Sequence, residues 1–493
     1  MTPDSSPTET VTSSLYGDTR IGLVDIGSNS IRLVIYRAGG RLPIPQFNER
    51  EVCRLGEGLA ETGNLAPDRI EHALSTLARF ALIIGHSNLD RIDIFATEAV
   101  RKAANKDAFL IPAEAILGHR IRVLEGVEEA IYATRGVISG FVYVDGIVAD
   151  LGGGSLELTS ASPDRPLTTD YSVSLPLGHL NDVDSSSITE MISSVDWVSA
   201  QHSKRLYVVG GTWRAIATAH AAQSRKRVDI VHGFTLTRKS LFNFLDTIEA
   251  SSGDIEGIPP ARRGSMVQAI RVLRGLMEVH GTEKVVFSSY GAREGILFDG
   301  LDDRAQGIDP LLEGVAEIAV MSQRFDGLGK VLSACINPFI ENLPEAYQRL
   351  ARATCWLADM SWLEYPDYRG TLAAEKMLGM SVVGISHAER VWMASALHIR
   401  YTGVFPKGSV FRGLLTKKER KSALFIGLAL RMIMSASGGI PAIIESFTIT
   451  SKKKKSFTIH LPAEMRGLDT PLLRRRINAI CDNSQTKISL VID

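Results

Sequence analysis

Read as a pattern of apolar and polar positions, the chain changes character along its length. Ile21 to Arg37 (IGLVDIGSNSIRLVIYR) reads as an apolar strand, a short turn of small residues, and a second strand with alternating apolar positions. Gly146 to Ser160 (GIVADLGGGSLELTS) repeats the plan. Two later stretches, Lys204 to Ala219 and Lys284 to Gly300, each read as strand, small-residue turn and helix. From about residue 309 the apolar positions recur every three or four residues, as in LPEAYQRLARATCWLADMSWL and KERKSALFIGLALRMIMSA. That spacing predicts amphipathic helices. After Gly438 and Gly439 the pattern predicts a hairpin over Ala442 to Leu461, a helix over Thr470 to Cys481 and a strand over Lys487 to Ile492.

The two strand–turn–strand segments align without a gap. Asp25 falls on Asp150, Gly27 on Gly152, Ser30 on Ser155 and Leu33 on Leu158. Small turn residues let backbone N–H groups approach an anion, and glycine tolerates positive φ. Ser28, Asn29, Ser30, Gly152, Gly153, Gly154 and Ser155 are therefore candidate phosphate ligands. An Asp closing each first strand can hold hydrated Mg²⁺ opposite the phosphate, which makes Asp25 and Asp150 candidate metal ligands. A single glycine-rich hairpin is weak evidence; two copies with Asp at the same offset form a pair able to clamp one phosphate chain. Gly210, Gly211 and Thr212, at a strand–helix junction, add N–H groups and a helix N-terminus.

Length, charge and cysteine content bound the remaining possibilities. A chain of 493 residues suggests three or four domains. The first 18 residues are polar and rich in Ser, Thr and Pro, which predicts a mobile tail rather than a signal peptide. The longest apolar run, Ala423 to Leu430, stops at Arg431, so a buried helix is expected and no membrane span. Four cysteines without CxxC spacing read as reduced thiols in a cytoplasmic protein and disfavour a structural zinc site. Formal net charge is zero, yet residues 401 to 493 hold 16 Lys and Arg against 6 Asp and Glu. The clusters Lys417 to Lys421, Lys452 to Lys455 and Arg474 to Arg476 suit either a solvated face or a polyanionic partner.

The ordered motifs DIGSNSIRL, ATEAVRKA, EGVEEA, ADLGGGSLEL, LPLGHL, VVGGTWRAIA and SSYGAREGIL resemble the exopolyphosphatase and guanosine pentaphosphate phosphatase family, within the sugar kinase, Hsp70 and actin superfold, and most resemble its long bacterial members. The resemblance covers about residues 20 to 300. It implies an α/β fold class: two ribonuclease-H-like, actin-like lobes (19–132 and 133–308), then an all-helical HD-like domain (309–438) and a small α+β domain (439–493). It also implies Mg²⁺-dependent hydrolysis of a terminal phosphoanhydride, with another divalent ion or K⁺ as further options. Expected partners are inorganic polyphosphate or guanosine penta- and tetraphosphate, with no nucleic acid, no membrane and a homodimer.

Site roles follow the same resemblance. Glu129 matches the family's water-activating glutamate; by itself it is also an ordinary first-turn glutamate favoured by the helix dipole. Arg101 matches an arginine near the phosphate, though Glu98 could pair with it. Glu157 matches a glutamate that helps hold metal, though it could sit on the polar face of its strand. The helical region carries Ala358 before Asp359, where an HD enzyme needs His, so no second active site is expected there. His387 and His398 read as core or surface histidines. An ATP-dependent kinase of the same superfold and a non-catalytic phosphate sensor are the alternatives from other classes.

Overall fold

The computed structural model describes residues 19–38, 40–223, 228–453 and 455–493. The expected tail, Met1 to Asp18, and Lys454 of the lysine run lie outside the described residues. Among the described residues two compact units emerge, one holding residues 19–223 with 230–310 and one holding residues 311–493.

The first unit is built on two sheets. One contains β1 (Arg20–Ile26), β2 (Ile31–Arg37), β3 (Ile44–Glu51), β4 (Arg91–Ala96) and β5 (Arg122–Val123), in the order β3-β2-β1-β4-β5. The other contains β6 (Gly146–Leu151), β7 (Leu156–Ala161), β8 (Ser172–Leu175), β9 (Arg205–Val209), β10 (Phe234–Thr237) and β11 (Lys284–Phe287), in the order β10-β11-β9-β6-β7-β8. The run β8-β7-β6-β9-β11 repeats β3-β2-β1-β4-β5 in order and strand direction: antiparallel, antiparallel, parallel, parallel. The internal repeat is thus a repeated topology. Helices close one face of each sheet. Phe80 and Phe109 anchor the first core, and Trp213, Leu273 and Phe287 the second.

Between the sheets runs the helix Gly126–Gly140. Tyr132 packs on the back of the first sheet beside Leu23, Val34 and Leu297, while Val137 packs on the back of the second beside Val148 and Tyr207. A second helix, Ala292–Asp299, crosses it at glycine contacts. A Cβ on Gly136 would stand 2.0 Å from the Gly291 carbonyl oxygen, and one on Gly295 1.8 Å from that of Tyr132. Only hydrogen fits at either position, so this crossing holds the spatial relation of the two sheets.

In the second unit the helices Glu345–Trp356, His387–Thr402 and Lys417–Ser437 form a core around fully buried Trp392. Capping boxes start two of them, Ser386 with Glu389 and Thr416 with Glu419. Asp359 is buried and receives Nε and Nη2 of Arg324 at 2.7 and 3.0 Å, with Arg400 at 3.6 Å. Three strands follow: β12 (Thr448–Lys453), β13 (Ser456–Leu461) and β14 (Lys487–Ile492). The helix Pro471–Ser484 links β13 to parallel β14. The hairpin is shorter than the apolar pattern suggests, because Pro441–Glu445 is a helical turn. Pro441 sits at its first position and Ile444 is buried beneath it. All four cysteines are free, and no helix among the described residues is long and apolar enough to cross a membrane.

Candidate functional site

The two Asp-led turns are superimposable in hydrogen bonding. Gly27 N–H donates to Ser30 O at 3.1 Å, and Gly152 N–H donates to Ser155 O at 2.9 Å. Across the strands Asp25 faces Arg32, and Asp150 faces Glu157, so the repeat places opposite charges at equivalent positions. The turns meet across the cleft: a Cβ on Gly153 would lie 3.0 Å from Ser28 Cβ. Space, rather than φ, requires the glycines. None of Gly27, Gly152, Gly153 and Gly154 has positive φ, whereas a Cβ on Gly154 would stand 2.0 Å from Glu98 Oε2. Gly210 does need its conformation, with φ of 109° where β9 ends against Leu151.

One cavity takes in Asp25, Ser28, Asn29, Ser30, Glu129, Asp150, Gly152, Gly153, Ser155, Gly210 and Gly211. Thr212 and Gly154 stand behind its wall; the Thr212 hydroxyl accepts from Arg262 Nη1 at 3.1 Å. Arg101 and Glu157 also stand back from the lining. Arg101 is ion-paired with Glu129, Nη1 to Oε2 at 3.6 Å, and donates to the Leu124 carbonyl. Glu98 takes Lys102 instead, at 2.6 Å. Glu157 is no surface residue: it is buried, and its Oε1 accepts from Ser174 Oγ at 2.8 Å.

Glu129 reaches the cavity because Glu125 caps the central helix and closes a capping box with Glu128, which leaves the next residue aimed inward. Burial pushes the Glu129 carboxyl well above its usual range, and the charges of Glu157, Asp150 and Asp25 add to this while Arg101 opposes it. Burial also raises Asp25, lifts Asp150 to about 6 and lifts Glu157 to about 8. So many carboxylates in one desolvated place demand positive charge. Oε2 of Glu129 and of Glu157 are buried without a hydrogen bond. An all-oxygen donor set of this kind fits a hard divalent cation. Among the described residues no three potential ligands converge closely enough to cage one, so water and phosphate oxygens would complete its shell.

Five arginines share the cavity: Arg32, Arg50, Arg214, Arg262 and Arg293. Arg293 Nε lies 3.7 Å from Asp25 Oδ2, and Arg214 Nη1 donates to Ser289 O at 3.2 Å. Motif reading assigned no role to any of them. Arg32, Arg214 and Arg293 stand inside the repeated turn and the two strand–helix motifs, where a charged residue beside an apolar strand was the available signal. Arg50 and Arg262 carry no local signal; the sheet order and a distant helix bring them in.

The chain is similar to known proteins over most of its length. The Ppx/GppA phosphatase family model matches residues 34–304, and a model described as exopolyphosphatase, C-terminal, matches residues 329–491. Exopolyphosphatase 1 of Mycobacterium leprae is 29% identical over 319 residues, which is 58% of this chain and 91% of that protein. Guanosine-5'-triphosphate,3'-diphosphate pyrophosphatase of Pseudoalteromonas atlantica is 26% identical over 304 residues, 57% of this chain and 59% of that protein. A crystal structure of an exopolyphosphatase from Cytophaga hutchinsonii shares the fold, with a TM-score of 0.52 at 21% identity, over 58% of this chain and 99% of that one.

Proposed function

The chain belongs to the Ppx/GppA phosphatase family, and from that premise we propose that it is an exopolyphosphatase, releasing orthophosphate from the end of inorganic polyphosphate. The observation that carries the reading is the pair of Asp-led turns meeting over one cavity, with Glu129 at the start of the helix between the two sheets. Backbone N–H groups of both turns, with the Ser28, Ser30 and Ser155 hydroxyls, bind the terminal phosphoryl oxygens. Glu129 orients a water and accepts its proton as the water oxygen bonds to phosphorus and the bridging P–O bond breaks. Arg101 lowers the cost of the charged form of Glu129, and Arg293 and Arg214 offset charge on the phosphoryl oxygens and the departing chain. Asp25 and Asp150, with Glu157 behind them, would hold a divalent cation, Mg²⁺ in our proposal, which when bound would supply positive charge to the phosphate and let the neighbouring carboxylates ionise.

Polyphosphate is favoured over guanosine pentaphosphate by the cavity wall. Among its described lining residues Phe95 is the one Phe, Tyr or Trp, and that ring is buried in the sheet, so no exposed aromatic face awaits a guanine. The match of residues 329–491 to an exopolyphosphatase C-terminal model supports the same choice. Phosphate release from long polyphosphate with Mg²⁺ tests the reading, with Glu129→Gln for comparison. The variant is expected to lose about 10²- to 10⁴-fold in rate while still binding the chain. A variant as fast as wild type would remove Glu129 from the chemistry. Faster release from guanosine pentaphosphate than from polyphosphate would reverse the substrate assignment.

A further inference from the structure

Two of the five cavity arginines differ from the others. Arg293 faces Asp25, and Arg214 has Asp150 as an attractive charge. Arg50 and Arg262 make no ion pair with a carboxylate among the described residues, although the Arg50 charge still reaches Asp25 and favours its ionised form. Arg50 comes from β3, at the edge of the first sheet, and its Nε donates to Ser30 Oγ at 2.9 Å, which pins it over the first turn. Arg262 comes from the opposite sheet's side, in the first turn of the helix Pro260–His280. It lies against Gly211, where a Cβ would stand 2.4 Å from its Nη2, and its Nη1 donates to Thr212. The charges acting on Arg262 are repulsive, from Arg50 and Arg214. His179 lines the same part of the cavity. Its backbone N–H donates to Gly152 O at 3.1 Å, and its ring Nδ1 is buried without a hydrogen bond. Burial and the two arginines push this imidazole down to about 4, so it stays neutral beside them.

The cavity is therefore divided by charge. Around Asp25, Asp150 and Glu129, carboxylates and cations are mixed, as a metal-bound reacting phosphoryl group requires. Around Arg50, Arg262 and His179 there is positive charge and one open ring nitrogen. Arg50 is exposed and Arg262 half-buried, so water screens part of their repulsion; an anion between them would relieve the rest, and a guanidinium fork suits phosphate oxygens.

We infer that Arg50 and Arg262, with His179, form a clamp for the phosphates next to the one being removed, so that the site recognises a run of at least three phosphates. This inference rests on the exopolyphosphatase reading and deepens it. The arginines act on chain binding, not on the bond that breaks. Their loss is therefore expected in KM rather than kcat.

The experiment compares wild type, Arg50→Gln, Arg262→Gln and Arg262→Lys on pyrophosphate, tripolyphosphate and long polyphosphate at fixed ionic strength. Each Gln variant is expected to raise KM for tripolyphosphate and long chains about 10- to 100-fold, the scale of one lost charge-assisted hydrogen bond. kcat should move less than about threefold, KM for pyrophosphate should rise less, and Arg262→Lys should recover part of the loss. Variants that melt like wild type yet keep its KM for tripolyphosphate would overturn the clamp. So would equal rises in KM on all three substrates, which would put the arginines on the terminal phosphate. If wild type released no phosphate from polyphosphate, the exopolyphosphatase reading would fail by itself. Calorimetric binding of tripolyphosphate to wild type and Arg262→Gln would then decide the clamp, with equal affinities overturning it.

Discussion

Arg101 offers a test in which the charge pattern, and not only the presence of a residue, is at stake. Its Nη1 lies 3.6 Å from Glu129 Oε2, with both side chains largely buried. At that separation, in surroundings of effective dielectric about 20, the attraction is roughly 4–5 kcal/mol. Water, cation and substrate screen part of it, and what remains favours the ionised Glu129 carboxyl. The sign follows from the neighbours. Burial, Glu157, Asp150 and Asp25 push Glu129 up, and Arg101 is the cation that holds it down. In Arg101→Gln the acidic limb of kcat/KM, measured as phosphate release between pH 5 and 10 with Mg²⁺, should therefore move to higher pH. Activity near neutral pH should fall at least about tenfold, with recovery on the alkaline side. Glu129→Gln should instead lose activity at every pH and show no such limb. If Arg101→Gln lost the same factor at every pH with its limb in place, Arg101 would not act through the charge of Glu129, and its role would be confined to contacts with substrate.

Two further outcomes follow from the same packing. The Glu157 carboxyl is raised to about 8 in the folded protein, against roughly 4.3 when unfolded, so its contribution to stability is complete below about pH 4 and is lost as pH rises through 8. In chelator, Glu157→Gln should flatten that slope and leave the variant on the order of 1–4 kcal/mol more stable than wild type near pH 9, read from denaturant titrations; an unchanged slope would mean the group is ionised at little cost. Gly136→Ala places a methyl group 2.0 Å from the Gly291 oxygen, and should cost at least ~1–3 kcal/mol and depress kcat as the helix carrying Glu129 shifts; a melting temperature equal to wild type would show that the crossing yields easily.

The hairpins led by Asp25 and Asp150 were legible in the amino-acid order because their causes are local. Apolar alternation, a closing carboxylate and a run of small residues all act within about twelve positions of one another. The same holds for the amphipathic helices after residue 309, whereas Glu129, locally an ordinary first-turn glutamate, stood out through its likeness to the family's motif. Even so, the reason for glycine at 153 and 154 was not local: Ser28 and Glu98, contributed by the other lobe, leave no room there for a side chain. Tertiary structure alone decided that Glu157 is buried, that Arg101 pairs with Glu129, and that Arg50 and Arg262 line one cavity. Those facts depend on which strand edges and helix ends are brought together by burying two apolar cores and one glycine-lined helix crossing. Such burial is cooperative over hundreds of residues and leaves no signature in the neighbourhood of any one of them.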